Sequence, residues 1–321
     1  MAALGPLRPG FVINDKFEVV RVVNRGGMAY VLLVRARGHE RMFALKLAHV
    51  RDRQANDDHP HNVAIRKEAS LLKQLKHQRI VKVFPVGGIP GKAMKDYSAR
   101  AVNVTGQPWF FVMEFLAGGD LNEYVKQCGP LTVEEAVSIV LNTCMGVMYL
   151  HEKHRISHND IKPENIVFRT PVRAGEPYDV VLIDFGTAAG VQKFKDEAGS
   201  WFVMSPERIR GAKGIEPPEQ LARIDPRKSD IWSLGIVLYY ALSKRLPFDS
   251  LRQKRLTTQI LNTVPKDIPH IPAELNRFLI EGCLAKRPQY RPTSRECFEF
   301  LRQYTRRLAP ATSVKEGCYA H

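Results

Sequence analysis

The 321-residue chain is poor in cysteine, has no long hydrophobic run and begins with no basic, apolar leader. Each absence removes a class of protein. The five cysteines, Cys128, Cys144, Cys283, Cys297 and Cys318, are odd in number and form no Cys-x-x-Cys pair. They indicate neither a zinc site nor a full disulfide framework, so a reducing, cytoplasmic location is expected. The longest apolar stretch, residues 231 to 242, is about 12 residues, the length of a buried core helix rather than a membrane span. Pro6 and Pro9 interrupt the N-terminus, which therefore reads as no signal peptide. No membrane anchor is expected.

What the chain does have is ordinary globular composition, 44% hydrophobic and 25% charged, with a net charge of +15. The charge is uneven: residues 1 to 113 hold 19 Lys/Arg against 8 Asp/Glu, and the remainder 29 against 25. Clustered positive charge attracts polyanions. The chain carries no helix-turn-helix, zinc-finger or RNA-binding motif, so no nucleic-acid partner is expected and the basic third fits an acidic partner instead.

Residues 17 to 23, 30 to 34 and 42 to 48 alternate apolar and polar in β-rich runs separated by Gly-containing turns, which predicts an antiparallel sheet. Residues 63 to 77 place Ile65, Ala69, Leu72 and Leu75 on one face of an amphipathic helix. Further strands are predicted at 80 to 86 and 109 to 115, with an exposed insertion of about 20 residues between them. Beyond Gly118 and Gly119 come helical patterns at 133 to 153, 229 to 243 and 273 to 284, with a strand region near 166 to 183. His59 and His61 lie in a polar loop, and neither they nor His151, His154 and His158 form a metal set. A small β-rich part precedes a larger helical part, which is an α+β organisation.

Chemistry concentrates in two short segments. Ile156-Ser-His-Asn-Asp-Ile-Lys-Pro-Glu-Asn puts Asp160, Lys162 and Asn165 on one loop, and Asp184-Phe-Gly follows a run of Val-Val-Leu-Ile. A carboxylate to orient a hydroxyl, an amide and a second carboxylate for a metal, and a lysine for phosphate charge are what phosphoryl transfer requires. These residues resemble the catalytic loop and metal-binding Asp-Phe-Gly of the eukaryotic-like protein kinase family, and the resemblance runs over residues 16 to 305.

The resemblance implies a bilobal fold: an N-terminal extension (1 to 15), a small antiparallel-sheet lobe with one main helix (16 to 113), a hinge (114 to 119), a larger, mainly helical lobe (120 to 305) and a basic tail (306 to 321) that reads as the start of a linker. It implies ATP and Mg2+, with Mn2+ as a substitute, and a protein substrate with a serine or threonine acceptor. Lys46, in Phe-Ala-Leu-Lys, becomes the phosphate anchor, Glu68 its ion-pair partner, and Ala44 the roof over adenine. Met113, Glu114, Leu116 and Asp120 resemble the hinge and ribose contacts, and Val31 and Val167 complete the nucleotide-binding set. Asp160 becomes the hydroxyl-orienting carboxylate and Lys162 the phosphate neutraliser, with Ser200 within their reach. Asn165 and Asp184 become the metal ligands. Gly199 to Glu207 resembles the substrate end of the activation segment, Asp230-Ile-Trp-Ser-Leu-Gly235 the helix beneath it, and Arg291 the partner of Glu207.

Two positions depart from the family pattern. The glycine-rich loop reads Asn24-Arg-Gly26-Gly27-Met-Ala29-Tyr-Val31, with only Gly26 in register, which predicts weakened closure over ATP. Its Gly-Gly-Met run resembles bacterial serine/threonine kinases. Asn159 stands where most of the family has the arginine that grips an activation-segment phosphate, which predicts activity without that phosphate. The same departures leave open a pseudokinase, a nucleotide-binding scaffold without turnover.

Overall fold

A computed structural model describes residues 8 to 38, 40 to 50, 56 to 88, 95 to 188 and 201 to 308. Ser200 and Cys318 lie outside the described residues. The chain divides into two compact units between Leu116 and Ala117.

The first unit is a seven-stranded antiparallel sheet with one helix. Strands β1 (Val12–Ile13), β2 (Phe17–Arg25), β3 (Ala29–Ala36) and β4 (Met42–Ala48) follow one another across it. The helix α1 (Pro60–Leu72) intervenes before β5 (Val83–Phe84). The small ribbon β6 (Gly87–Gly88) with β7 (Lys95–Asp96) precedes β8 (Ser98–Arg100) and β9 (Trp109–Glu114). β9 pairs with β4 on one side and with both β5 and β8 on the other. The predicted strands at 17 to 23 and 30 to 34 lengthen at their ends, the one at 42 to 48 matches Met42–Ala48, the one at 109 to 115 stops at Glu114, and the run at 80 to 86 shrinks to Val83–Phe84. β1 also draws residues assigned to an N-terminal extension into the sheet.

Period-two alternation divides the sheet's residues between two faces. Phe17, Val19, Leu32, Val34, Leu45, Leu47, Phe110 and Val112 turn one way and form a hydrophobic core. Val86, Ala101 and Val104 join that core, with Ala101 0% exposed. The expectation of an exposed insertion between 86 and 109 is therefore corrected: its described residues supply the short strands β6, β7 and β8 and the core side chains Ala101 and Val104. The apolar positions are too few and too irregularly spaced to register as a period. α1 packs over β4 and β9 through Asn62, Ile65, Glu68, Ala69 and Leu72. It ends at Leu72, and Leu75 is buried beyond it.

The second unit is mainly helical: α2 (Leu121–Cys128), α3 (Val133–Tyr149), α4 (Pro206–Ala212), α5 (Pro218–Leu221), α6 (Arg227–Ser243), α7 (Gln253–Asn262), α8 (Ala273–Arg277) and α9 (Ser294–Leu308). A two-stranded ladder, β10 (Ile166–Phe168) and β11 (Val180–Leu182), lies within it. α3 starts at a capping box in which Thr132 and Glu135 satisfy each other's backbone amides. α6 is buried from Ser229 to Leu242. A Cβ at Gly235 would stand 2.8 Å from the Cβ of Cys283, so glycine is what lets α6 approach the π-helical turn at Phe278–Cys283. α9 runs to Leu308, so the basic tail begins three residues later than expected, and Arg307 pairs with Glu274.

With the π-helical turn that follows it, α3 is long and apolar enough to cross a membrane by length and composition alone. Counting only the longest uninterrupted apolar run missed it. It packs against α6 and α9 as the central helix of this unit. Glu207 and Arg291 make a bidentate ion pair at 2.7 and 2.8 Å, with the arginine side chain 0% exposed. Replacing Arg291 with methionine would strand the glutamate. The expected loss is about 3–5 kcal/mol, read as a lowered urea midpoint of the helical unit, whereas an unchanged midpoint would show the pair to be dispensable.

Candidate functional site

In the first unit the sheet register assembles a row of predicted site residues. Asn24 lies opposite Val31, Val31 opposite Lys46, and Lys46 opposite Phe111. One step along, Ala44 lies opposite Met113. Because facing residues in register share a face, Val31, Ala44, Lys46 and Met113 all point the same way. Glu68 arrives on that face from the buried stripe of α1, and both its oxygens bond Lys46 Nζ, at 2.9 and 2.8 Å. The lysine is thereby held extended across the sheet by a carboxylate that is 4% exposed.

Gly26 and Gly27 occupy the turn between β2 and β3. The Gly26 amide donates to Ala29 O at 3.0 Å, and a Cβ at Gly26 would lie 3.2 Å from that same oxygen. A Cβ at Gly27 would meet nothing within 4 Å. Glu114 donates its amide to Lys82 O at 2.8 Å and accepts the Lys82 amide on its side chain. Leu116 closes the unit and is half-buried.

In the second unit Asp120 caps α2, accepting the Glu123 amide at 2.9 Å, and bridges to Val167 of β10. Gly118 makes this close approach feasible, since a Cβ there would stand 2.2 Å from Thr170 O. Burial raises the Asp120 carboxyl above the ordinary range, against the Glu123 and Asn122 amides, which lower it.

The loop from 157 to 165 carries the densest polar network. Asp160, 7% exposed, holds its Oδ2 between Lys162 Nζ at 2.7 Å and Asn165 Nδ2 at 3.0 Å. Asn165 Nδ2 also donates to the Asp160 carbonyl at 2.7 Å. Burial works to lower the Lys162 ammonium, but the charge of Asp160 and its hydrogen bond outweigh it and raise the pKa.

The ladder then fixes the second carboxylate. Ile166 pairs with Leu182 in β10 and β11, and Ile183 donates its amide to Asn165 O at 3.0 Å. That register brings the chain ends carrying Asn165 and Asp184 together. Asn165 Oδ1 accepts no hydrogen bond among the described residues, so it is available as a hard oxygen donor. Asp184 adds a carboxylate at a left-handed backbone, φ 62°. Two oxygen-bearing side chains suit Mg2+ held mainly by phosphate and water oxygens, so the residues fit the metal.

Beneath the loop, Asp230 of α6 accepts the amides of His158 and Asn159 and the Nε2 of His151, each at 2.8 Å. Burial would raise this carboxyl, but the His151 hydrogen bond, with the Asn159 amide, holds it below the ordinary range. His158 Nε2 donates to Ile183 O at 3.1 Å, and its Nδ1 accepts the Asp160 amide at 3.3 Å. Only the neutral ring can do both.

Of the predicted site residues, Lys46 and Glu68 are brought together, as are Asp160, Lys162, Asn165 and Asp184. Arg208, which no sequence motif singled out, donates to Asn159 O next to Asp160. Neither its position nor its residue type distinguishes it among 48 Lys/Arg.

Burial pulls the His158 ring below its ordinary pKa against Asp230, Asp160 and Asp184. The unfolded ring, with a pKa of about 6.5, therefore binds a proton more readily than the folded one, and stability rises with pH across the interval between them. This contribution is present above about pH 6.5 and is lost as pH falls through the folded value. An NMR titration giving His158 a pKa below that of a free histidine is the expected result, and a raised value would contradict the assignment.

A family model described as protein kinase domain matches residues 17–301. The chain is similar to the serine/threonine-protein kinase PrkC of Bacillus subtilis (strain 168), 28% identical over 297 residues, covering 89% of this chain and 40% of that protein. It is similar to human serine/threonine-protein kinase H2, 29% identical over 248 residues, covering 77% and 56%. Serine/threonine-protein kinase tousled-like 2 of Xenopus tropicalis is 28% identical over 301 residues, covering 87% and 39%. The chain spans less than two thirds of the length of each of these relatives.

Proposed function

The chain belongs to the protein kinase domain family, and from that premise we infer that it transfers the γ-phosphate of ATP to serine or threonine hydroxyls of proteins. The observation that carries this reading is the Asp160 carboxylate, fixed by Lys162 and Asn165 on one loop, with the chain end bearing Asp184 brought beside Asn165 by the ladder.

Each residue has a role that follows from its chemistry. Lys46, held by Glu68, binds phosphate oxygens, while Val31, Ala44 and Met113 offer an apolar face to adenine. The Glu114 carbonyl and the Leu116 backbone meet the base edge, and Asp120 meets the ribose. Asn165 and Asp184 hold Mg2+, which when bound neutralises charge on the transferring phosphoryl group. Asp160 accepts a hydrogen bond from the acceptor hydroxyl and aims its oxygen at phosphorus, receiving the proton as the new P–O bond forms and the bond from the γ-phosphorus to the β–γ bridging oxygen breaks, with ADP as the leaving group. Lys162 offsets the charge that develops on the phosphoryl oxygens.

Transfer proceeds without phosphorylation of the segment between Asp184 and Glu207. That segment holds three hydroxyl residues, Thr187, Ser200 and Ser205. Thr187 donates its hydroxyl to His158 O at 3.0 Å, and the buried Ser205 hydroxyl bonds Ser229 at 2.9 Å. Asn159 gives its side-chain amide to Thr187 O at 3.3 Å and offers no cation to a phosphate.

Two experiments test this. Radiolabelled transfer from ATP with magnesium to a generic basic protein, recovered as phosphoserine or phosphothreonine, should fall about 10²–10⁴-fold in Asp160→Asn, with the fold retained. It should be abolished in Asp184→Asn; wild-type rates in either variant would refute the roles, and no transfer by wild type despite nucleotide binding would establish a scaffold. Phosphatase treatment should leave wild-type activity unchanged, and activity lost on treatment and restored by phosphorylating the segment would overturn the second claim.

A further inference from the structure

We propose that Arg208 is a positioning residue for phosphoryl transfer, clamping the peptide that joins Asn159 to Asp160 so that the Asp160 carboxylate faces the acceptor hydroxyl. The proposal rests on the kinase reading and names a part of that site assigned by none of its motifs.

Arg208 follows Glu207 in the first turn of α4, and its Nη1 donates to Asn159 O at 2.5 Å. Asn159 itself is in the left-handed region, φ 68°. Asparagine tolerates that region better than other non-glycine residues, but the conformation still persists only where surroundings enforce it. Here every backbone polar group around it is engaged. Asp230 Oδ1 takes the Asn159 amide, Arg208 takes the Asn159 carbonyl, and His158 Nδ1 takes the Asp160 amide. Arg208 is the one cation in this set. It therefore fixes the peptide plane immediately before Asp160, as Lys162 and Asn165 fix the carboxylate beyond it.

The electrostatics point the same way. Burial lowers the Arg208 pKa, while Asp230, Asp160 and Glu207 oppose that shift with their negative charge. A guanidinium keeps its proton in such a place, and its rigid fork holds a carbonyl in one direction while answering several carboxylates. The arrangement also supplies, from within α4, a buried positive charge under the loop that needs no phosphate to recruit it.

Space-filling and positioning predict different kinetics. Arg208→Met and Arg208→Lys would be assayed with ATP, magnesium and a protein substrate, with rates expressed per nucleotide-binding site. The expected result is a kcat lowered about 10- to 100-fold in R208M, the scale of a lost charge-assisted hydrogen bond, with KM for ATP unchanged. R208K, which keeps the charge but not the fork, should lose about 3- to 10-fold. A wild-type kcat per site in R208M would overturn the proposal, as would a loss of activity that merely tracks a loss of nucleotide-binding sites. Should R208M fail to fold, R208K decides alone: lowered kcat at unchanged KM supports the clamp, and wild-type kcat refutes it. Absence of Asp184-dependent transfer by the wild type would refute the kinase reading itself, and it is seen before either variant is compared.

Discussion

The carboxylate of Asp230 is the constraint on which the helical unit's chemistry depends. It has no exposed surface, yet it accepts three hydrogen bonds, from His151 Nε2 and the amides of His158 and Asn159. A buried carboxylate is tolerated only when its lone pairs are satisfied, and buried amides carry the same demand in reverse. Asp230 answers both at once. Its backbone belongs to α6, which is buried along nearly its whole length and cannot shift without disturbing the unit. The loop bearing Asp160 is thus referenced to a buried helix as well as to Lys162 and Asn165 within its own segment.

That arrangement explains where strain resides. Asn159 and Asp184 both have positive φ, at 68° and 62°, and both adjoin or supply groups proposed to act on phosphate. Isolated, each would cost of the order of 1–3 kcal/mol. Hydrogen bonds from α6 and α4 converge on Asn159, while Asp184 follows the β10–β11 ladder and accepts the Gly186 amide on its Oδ1 at 3.4 Å. A short irregular loop can then hold side chains as firmly as a strand would. The ladder itself is only three pairs long, but its register alone decides that Asn165 and Asp184 are neighbours.

Sequence patterns reached some of this and not the rest, for physical reasons. Lys46 and Glu68 were legible through the family resemblance, by their order and spacing relative to Asp160 and Asp184, since a strand lysine or a helix glutamate taken alone reads as a solvated charge. Asp160, Asn165 and Asp184 were legible because phosphoryl transfer needs groups of those types and because the segments that carry them resemble the family's catalytic loop and Asp-Phe-Gly. The segment after Val86 was not. Ala101 and Val104 reach the core from among polar residues, and β8 spans three residues, too short to show alternation. Arg208 was hidden for a different reason: a cation one residue after a motif gives no local sign that a turn from residue 159 will meet it. Only tertiary structure brings together residues 49 positions apart in the chain.

The departure at the glycine loop reads differently once the hairpin is seen. Ala29 is not an open loop position; it is the first residue of β3, 8% exposed, and lies in register with Ala48 of β4. Its methyl group therefore packs within the sheet instead of projecting from the turn, and alanine at 29 stabilises the strand where glycine would loosen it. The steric demand for glycine falls on Gly26, whose amide closes the hairpin onto Ala29 O at a distance that leaves little room for a Cβ. The sequence retains glycine at that point. Residue 29 has exchanged turn flexibility for strand packing, and the backbone of the turn keeps the glycine on which its closing hydrogen bond depends.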